Sequence, residues 1–187
     1  MLRGMIQIMN TIQNSSFAAA RFFFSDTRSA SFWLLVRLYI GWIWLSAGWE
    51  KASNPAWFGS DAGASINGFV LGALAKTTGA HPDVQGWYAS FLMHVMLPHP
   101  MAWANAITLG EILVGLGLIV GLFTAAAAFF GFFMNMNFLL AGTVSVNPVM
   151  LLCAIGLMCA HRVAGYWGLD RFAKRWYRKT SAGPLTS

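Results

Sequence analysis

Charge is scarce in this sequence. Of 187 residues, 12 are Lys or Arg and 6 are Asp or Glu, so charged residues make up 10% of the chain against 57% hydrophobic, and the mean hydropathy is +0.58. A soluble domain carries about 25% charged residues, so that class is excluded and a membrane protein is indicated. Cysteine is sparse as well. Cys153 and Cys159 are the two present. Their spacing puts them about 9 Å apart along a helix axis and roughly 120° apart around it, too far for a disulfide, so they read as small buried hydrophobes. The chain also lacks a Cys-x-x-Cys-His for covalent haem, a cysteine quartet for an iron–sulfur cluster and a glycine-rich dinucleotide motif. No haem or nucleotide cofactor is expected. Nor is a metal, because His94, His99 and His161 have no carboxylate or cysteine at ligand spacing. The opening "MLRGMIQIMNTIQNSS" turns polar before an apolar core develops, so it does not read as a cleaved leader, and the first membrane segment is expected to serve as the insertion signal. No internal repeat is evident.

Long apolar runs are what the chain does have. A hydrocarbon core about 30 Å thick takes roughly 20 helical residues, and four stretches approach that length: Ala30–Trp49, Met101–Gly121, Thr124–Gly142 and Pro148–Ala164. The expected fold is an all-α integral membrane protein, a four-transmembrane-helix bundle over 30–164, with a segment 1–29 before it and a basic tail 165–187 after it. The loop 50–100 is long but apolar in places. "INGFVLGALAK" and "QGWYASFLMHVMLPHP" are too short to span, so they read as short interfacial helices, the second stopped by Pro98 and Pro100, together forming a lid over the mouth of the bundle. The connection "GLFT" forces an antiparallel hairpin, and Pro148 suits the first turn of the last helix.

The net charge of +6 is unevenly placed. Arg3, Arg21 and Arg28 precede the first apolar segment, and Arg162, Arg171, Lys174, Arg175, Arg178 and Lys179 follow the last, while Glu50, Lys51, Asp61, Lys76 and Asp83 nearly cancel in the loop. The positive-inside rule then puts both termini in the cytoplasm and the loop on the outer face of a multi-pass protein. The tail "LDRFAKRWYRK" interleaves bases with aromatics, the pattern of an anchor on the anionic lipid bilayer; no nucleic-acid partner is expected.

Helical spacing sorts the polar residues inside the apolar segments. Arg37, Gly41, Trp44, Gly48 and Lys51 share one stripe; Ala104, Thr108, Glu111 and Gly115 share another; Thr124, Ala128, Gly131, Asn135 and Gly142 share a third. A charge facing lipid costs at least a few kcal/mol, and small residues let helices approach, so these stripes should face inward. With flush helix ends, Glu111 and Asn135 sit near the midplane and Arg37 roughly 7 Å nearer the cytoplasm. An Arg37–Glu111 pair joined by an Asn135 hydrogen bond is the expected arrangement, with snorkelling of Arg37 to the cytoplasmic surface as the alternative. Asn137 falls off this face and has no assigned partner.

"RLYIGWIWLSAGWEK", "WYASFLMHVMLPHP", "GEILVGLGLIVGLFT", "FFMNMNFLLAG" and "NPVMLLCAIGLMCAHRVAGYWGLDRF" together resemble the DoxX/DoxD family of four-helix membrane proteins over about residues 37–172. The resemblance is greatest to the DoxD-type subunit of thiosulfate:quinone oxidoreductase. It implies a subunit in the cytoplasmic (inner) membrane of a prokaryote that passes electrons from thiosulfate, or a related small sulfur anion, to membrane quinone as acceptor, giving tetrathionate. It also implies a DoxA-type or other outer-face protein partner; a homo-oligomer is the other association open to it. Quinone reduction consumes two electrons and two protons within the bilayer, which calls for an ionisable pocket between helices. Glu111 and Arg37 are the candidate catalytic residues, with Glu111 relaying protons. Trp44, Lys51, Asn135 and Thr108 are the candidate quinone- or substrate-binding residues, Trp44 stacking on the ring and Lys51 also facing the outer anion. Two alternatives compete: a non-enzymatic scaffold or assembly subunit that recruits a redox or sulfur-handling partner, and a small transporter, which the lack of broken helices or inverted repeats disfavours.

Overall fold

The computed structural model describes residues 17–173 and 175. Arg3, Lys174, Arg178 and Lys179, and with them most of the basic tail, lie outside the described residues. Within them the secondary structure is helical, with no strand. Residues 17–25 form α1. Two side chains from further along the chain pin its C-terminal end, because Ser29 Oγ and Trp33 Nε1 both donate to Phe23 O, at 2.9 and 2.6 Å. A 3-10 turn, Thr27–Ser29, capped by Asp26, leads into α2, Ala30–Ala52.

The loop after α2 folds into a lid. It contains α3, Ala64–Leu74, and α4, Gly86–Phe91, which widens into a π-helical turn at Leu92–Met96. Gly63 starts α3 at φ 105° with Pro100 and Met101 packed so close that a Cβ would meet Met101 N at 2.9 Å; only glycine satisfies both conditions. The lid owns a core, in which Ile66, Val70, Val84, Tyr88, Leu92 and Met96 bury against Ala104 and Ala141.

Three further long helices follow. They are α5, Pro100–Val120, α6, Thr124–Leu140, and α7, Asn147–Cys159. Pro100 and Pro148 sit in the first turns of α5 and α7, where a missing N–H costs nothing. The most extensive contact is α2 against α5, followed by α6 against α7 and α5 against α6. The second core, built from Trp33, Ile40, Trp44, Val114, Leu118 and Leu157 among others, lies between these helices.

By length and composition two helical stretches can cross a membrane, Thr27–Ala52 and Pro100–Val120. Only 33% of each apolar window is buried, so most of their apolar surface points away from the core. α6 and α7 are apolar but shorter. The last segment is the clearest correction to the sequence expectation of Pro148–Ala164: its helix ends at Cys159, and residues 160–169 run in turns. Thirteen residues rise only about 20 Å. The turn after α7 carries Gly165 and Gly168, each too crowded for a Cβ, and presents its carbonyls inward to a buried cation rather than to the next helical turn. Cys153 is half-buried and Cys159 exposed, both free thiols, so only the first sits partly within the packing expected of both.

Candidate functional site

The α2–α5 seam sets the register of the polar residues. A Cβ built on Gly48 would lie 3.0 Å from Glu111 Cβ and 2.8 Å from Ile112 N, and one on Gly115 would lie 2.5 Å from Leu45 N. Backbone therefore meets backbone, and the antiparallel helices are locked with Gly48 beside Glu111. One turn beyond Gly48, Lys51 reaches across. Its Nζ stands 2.8 Å from Glu111 Oε2, in an ion pair whose carboxylate side chain is 2% exposed and whose ammonium side chain is 19% exposed. The ammonium also lies over the Trp57 ring, 5.2 Å from its centroid. Glu111 is thus shut off from solvent, while its partner opens toward the lid end. Thr108, one turn from Glu111 on the same face, is buried and donates its hydroxyl to Ala104 O at 2.8 Å.

Across the α5–α6 seam, Gly131 packs on Val114 and Trp44, so Asn135, one turn further on, comes level with Glu111. Asn135 is buried and donates Nδ2 to Asn147 O at 2.7 Å. That bond ties α6 to the start of α7. Its Oδ1 is buried with no hydrogen-bond partner among the described residues, the kind of orphaned acceptor that costs about 1–3 kcal/mol unless something supplies a donor. Trp44 is buried and stacks on Phe138 with centroids 6.4 Å apart.

Between the lid and the α5–α6 hairpin is a cavity of about 100 Å³, walled by Phe69, Tyr88 and Phe91 of the lid, Trp103 of α5, and Asn137 and Phe138 of α6. Tyr88 Oη donates toward Asn137 O and Oδ1, at 2.9 and 3.1 Å, and Asn137 Nδ2 donates to Phe133 O at 2.8 Å. Burial pushes the Tyr88 phenol up to about 12, so it keeps its proton and acts as a donor at any physiological pH. On the outward side of the hairpin a groove of about 620 Å³ runs along the α5–α6 seam past Gly110, Leu113, Gly117 and Val120.

A family model described as "TQO small subunit DoxD" matches residues 32–182. The chain belongs to the DoxD family. No curated protein and no solved structure matches it. The family is membrane-associated, which agrees with the outward apolar surface of α2 and α5.

In this DoxD chain the six residues singled out by sequence fall into two places. Glu111, Lys51, Thr108 and Asn135 lie toward the lid end, with Trp44 just below them, but Asn135 donates to Asn147 O rather than to the ion pair, which corrects the expected Asn135 hydrogen bond. Arg37 does not join them, which corrects the expected Arg37–Glu111 pair. Its guanidinium is buried at the opposite end, donating Nη1 to Ala164 O at 3.4 Å and Nη2 to Trp167 O at 3.1 Å and packing on Gly121 and Gly168. Gly121 lies about ten residues, or roughly 15 Å, along α5 from Glu111, beyond the reach of an arginine. The helix ends are not flush: α2 extends past the end of α5, which sets Arg37 further from Glu111 than flush ends would.

Arg37 closes the far end of the DoxD fold instead. The turn it holds carries Asp170, whose carboxylate accepts from Phe123 N at 2.7 Å and Thr124 N at 3.0 Å. This caps α6, whose N-terminus begins at the left-handed Phe123. Tyr88 and Trp103 carry no sequence signal that marks them as site residues. Asn137 does carry one, its departure from the small-residue face: it faces the lid.

Proposed function

We propose that this chain is a four-span membrane subunit of a quinone-linked oxidoreductase, a thiosulfate:quinone oxidoreductase that converts thiosulfate to tetrathionate. The observation that carries the reading, beside the family match over residues 32–182, is the Lys51–Glu111 pair, 2.8 Å apart, its carboxylate buried at the seam of the two longest apolar helices. Two thiosulfate dianions joined through a new S–S bond release two electrons, and a quinone taking those electrons also takes two protons to become a quinol. A carboxylate enclosed by helices, in contact with an ammonium that is itself partly open to the lid end, is suited to hand on such protons. Lys51 is the cation that an anionic donor arriving on that side would meet at the mouth of the seam.

The four-span reading is supported by the outward faces of the two shorter helices. Phe129, Phe130 and Phe133 of α6 and Val149, Leu152 and Ile155 of α7 are exposed, as are Leu35, Trp42, Leu109 and Leu113 on the longer helices. Exposed apolar side chains in this number, spread over all four helices, suit a lipid environment. Tilt and local bilayer thinning accommodate short spans at modest cost. The lid then lies on the outer face and both termini in the cytoplasm, the orientation that the arginine distribution supports. An outer-face partner subunit of the DoxA type would dock on the lid, where Phe58 and Trp87 are exposed.

The test is thiosulfate-dependent reduction of decylubiquinone by membranes containing the full chain and a co-expressed DoxA-type partner subunit. Glu111→Gln should lower the rate at least tenfold at unchanged protein level; an unchanged rate would remove Glu111 from the mechanism. A scaffold role is the second reading, favoured by the closure of the Lys51–Glu111 pair upon itself. Under it, a soluble partner co-purifies with the chain, and Glu111→Gln leaves both partner capture and the partner's activity intact.

A further inference from the structure

The cavity under the lid and the groove along the α5–α6 seam have one side chain in common, Met134, which borders both. We propose that they form a single site for an isoprenoid quinone, with the ring in the cavity beneath the lid and the tail along the groove. The proposal rests on the quinone-linked reading above and places its acceptor.

At about 100 Å³ the cavity is smaller than an apolar cavity of about 150 Å³ that takes benzene, so it accepts a substituted quinone ring only as its flexible walls, Met134 foremost, move aside. Its walls are mainly aromatic, which suits a planar ring; Phe91 and Trp103 meet edge to face with centroids 6.1 Å apart, and Phe138 also lines it. Its polar groups are of the kind a quinone carbonyl needs. Asn137 spends one amide hydrogen on Phe133 O, which leaves the second for a ligand oxygen. Tyr88 contributes a hydroxyl that a modest rotation redirects from Asn137 to the ligand. No charged residue lines the cavity, so it offers nothing to a phosphate head group, and this separates a quinone from a phospholipid as occupant.

The groove has the complementary character. Leu113, Val120 and Phe130 form its sides, and it opens on the surface that the fold leaves apolar. Between groove and cavity stands the flexible thioether of Met134, whose Sδ lies 3.1 Å from where a Gly110 Cβ would be. A side chain at position 110 would press on it; glycine leaves it free to swing. The site sits next to the buried ion pair, since Ile107 of the cavity wall is one helical turn from Glu111 and Phe138 stacks on Trp44.

The experiment uses the full-length protein in nanodiscs of phosphatidylcholine and phosphatidylglycerol, with calorimetric binding of decylubiquinone and of tail-less tetramethylbenzoquinone. Asn137→Leu, and independently Tyr88→Phe, should weaken both quinones about tenfold, the value of one good hydrogen bond. Leu113→Trp, which fills the groove from an exposed position, should weaken decylubiquinone about tenfold and leave tetramethylbenzoquinone within twofold. Folded variants that bind decylubiquinone as tightly as wild type would overturn the site while leaving the quinone-linked reading intact. Absence of binding by the wild-type protein would overturn both. A phospholipid or second copy retained in the groove, detected by native mass spectrometry and not displaced by decylubiquinone, would also overturn the site.

Discussion

Removing Lys51 should cost more than removing the whole ion pair. Lys51→Met leaves Glu111 buried beside Gly48 with no cation to answer it, and stranding a buried charge costs about 3–5 kcal/mol. Replacing both partners, Lys51→Met with Glu111→Leu, should recover most of that loss. Thermal unfolding of the wild type, the two single variants Lys51→Met and Glu111→Leu, and the double variant in one detergent checks this, and equal destabilisation by Lys51→Met and by the double change would count against the pair. Tyr88 supplies a second expectation at this scale. An unfolded phenol ionises near about 10 and the folded one near about 12. Its contribution to stability is therefore complete below about pH 10 and is lost as pH rises to about 12. In an ultraviolet tyrosinate titration, the last tyrosine to ionise before unfolding should vanish in Tyr88→Phe. Residue identities were largely legible in the sequence, since Glu111, Lys51, Thr108 and Asn135 lie on small-residue stripes that helical spacing reveals. Which residues meet was not. Arg37 and Lys51 occupy the same stripe of α2, and both have the charge to answer Glu111, so spacing alone could not choose between them.

Helix register made that choice, and register is held by glycines. Gly115→Leu places side-chain atoms where Leu45 backbone already stands. It should force α2 and α5 apart and cost about 1–3 kcal/mol or more, whereas Gly72→Ala in α3, with nothing within 4 Å, should be neutral or stabilising by up to about 1 kcal/mol. Melting temperatures moving together for the two variants would contradict the packing described. The element boundaries of α2, α5 and α6 match their apolar runs within a few residues. The end of α7 did not, because its apolar pattern continues through Val163 and Ala164. Those residues are buried by a turn that delivers the Ala164 and Trp167 carbonyls to Arg37, and a hydropathy pattern carries no sign of a buried guanidinium supplied by a distant helix. Arg37→Met should loosen that turn. Limited proteolysis should cut within residues 160–170 of the variant and spare the wild type, with Arg37→Lys intermediate because a point cation cannot fork between two carbonyls.

At the scale of the whole molecule, two ends with different tasks emerge. The far end is a closure, in which Arg37 and Asp170 bind the last turn to the ends of α2, α5 and α6. The lid end holds the groups with chemical capacity: the Lys51–Glu111 pair, the orphaned Asn135 oxygen and the aromatic cavity. The lid was legible as short apolar helices between turns. Its cavity was not, because the cavity is made by distant stretches, Phe69 and Tyr88 against Asn137 and Phe138, that only the folded chain brings together. The family match covers residues 32–182, and it suggests a use for this end that the geometry alone would leave open. The most direct test is the rate of thiosulfate-dependent decylubiquinone reduction in membranes carrying wild type, Glu111→Gln or Asp61→Asn, the last an exposed lid carboxylate outside the pair. Wild type and Asp61→Asn are predicted to be active, with at least a tenfold loss in Glu111→Gln. Equal rates in all three, or no thiosulfate-dependent reduction in any, would contradict a proton-handling role for the buried pair.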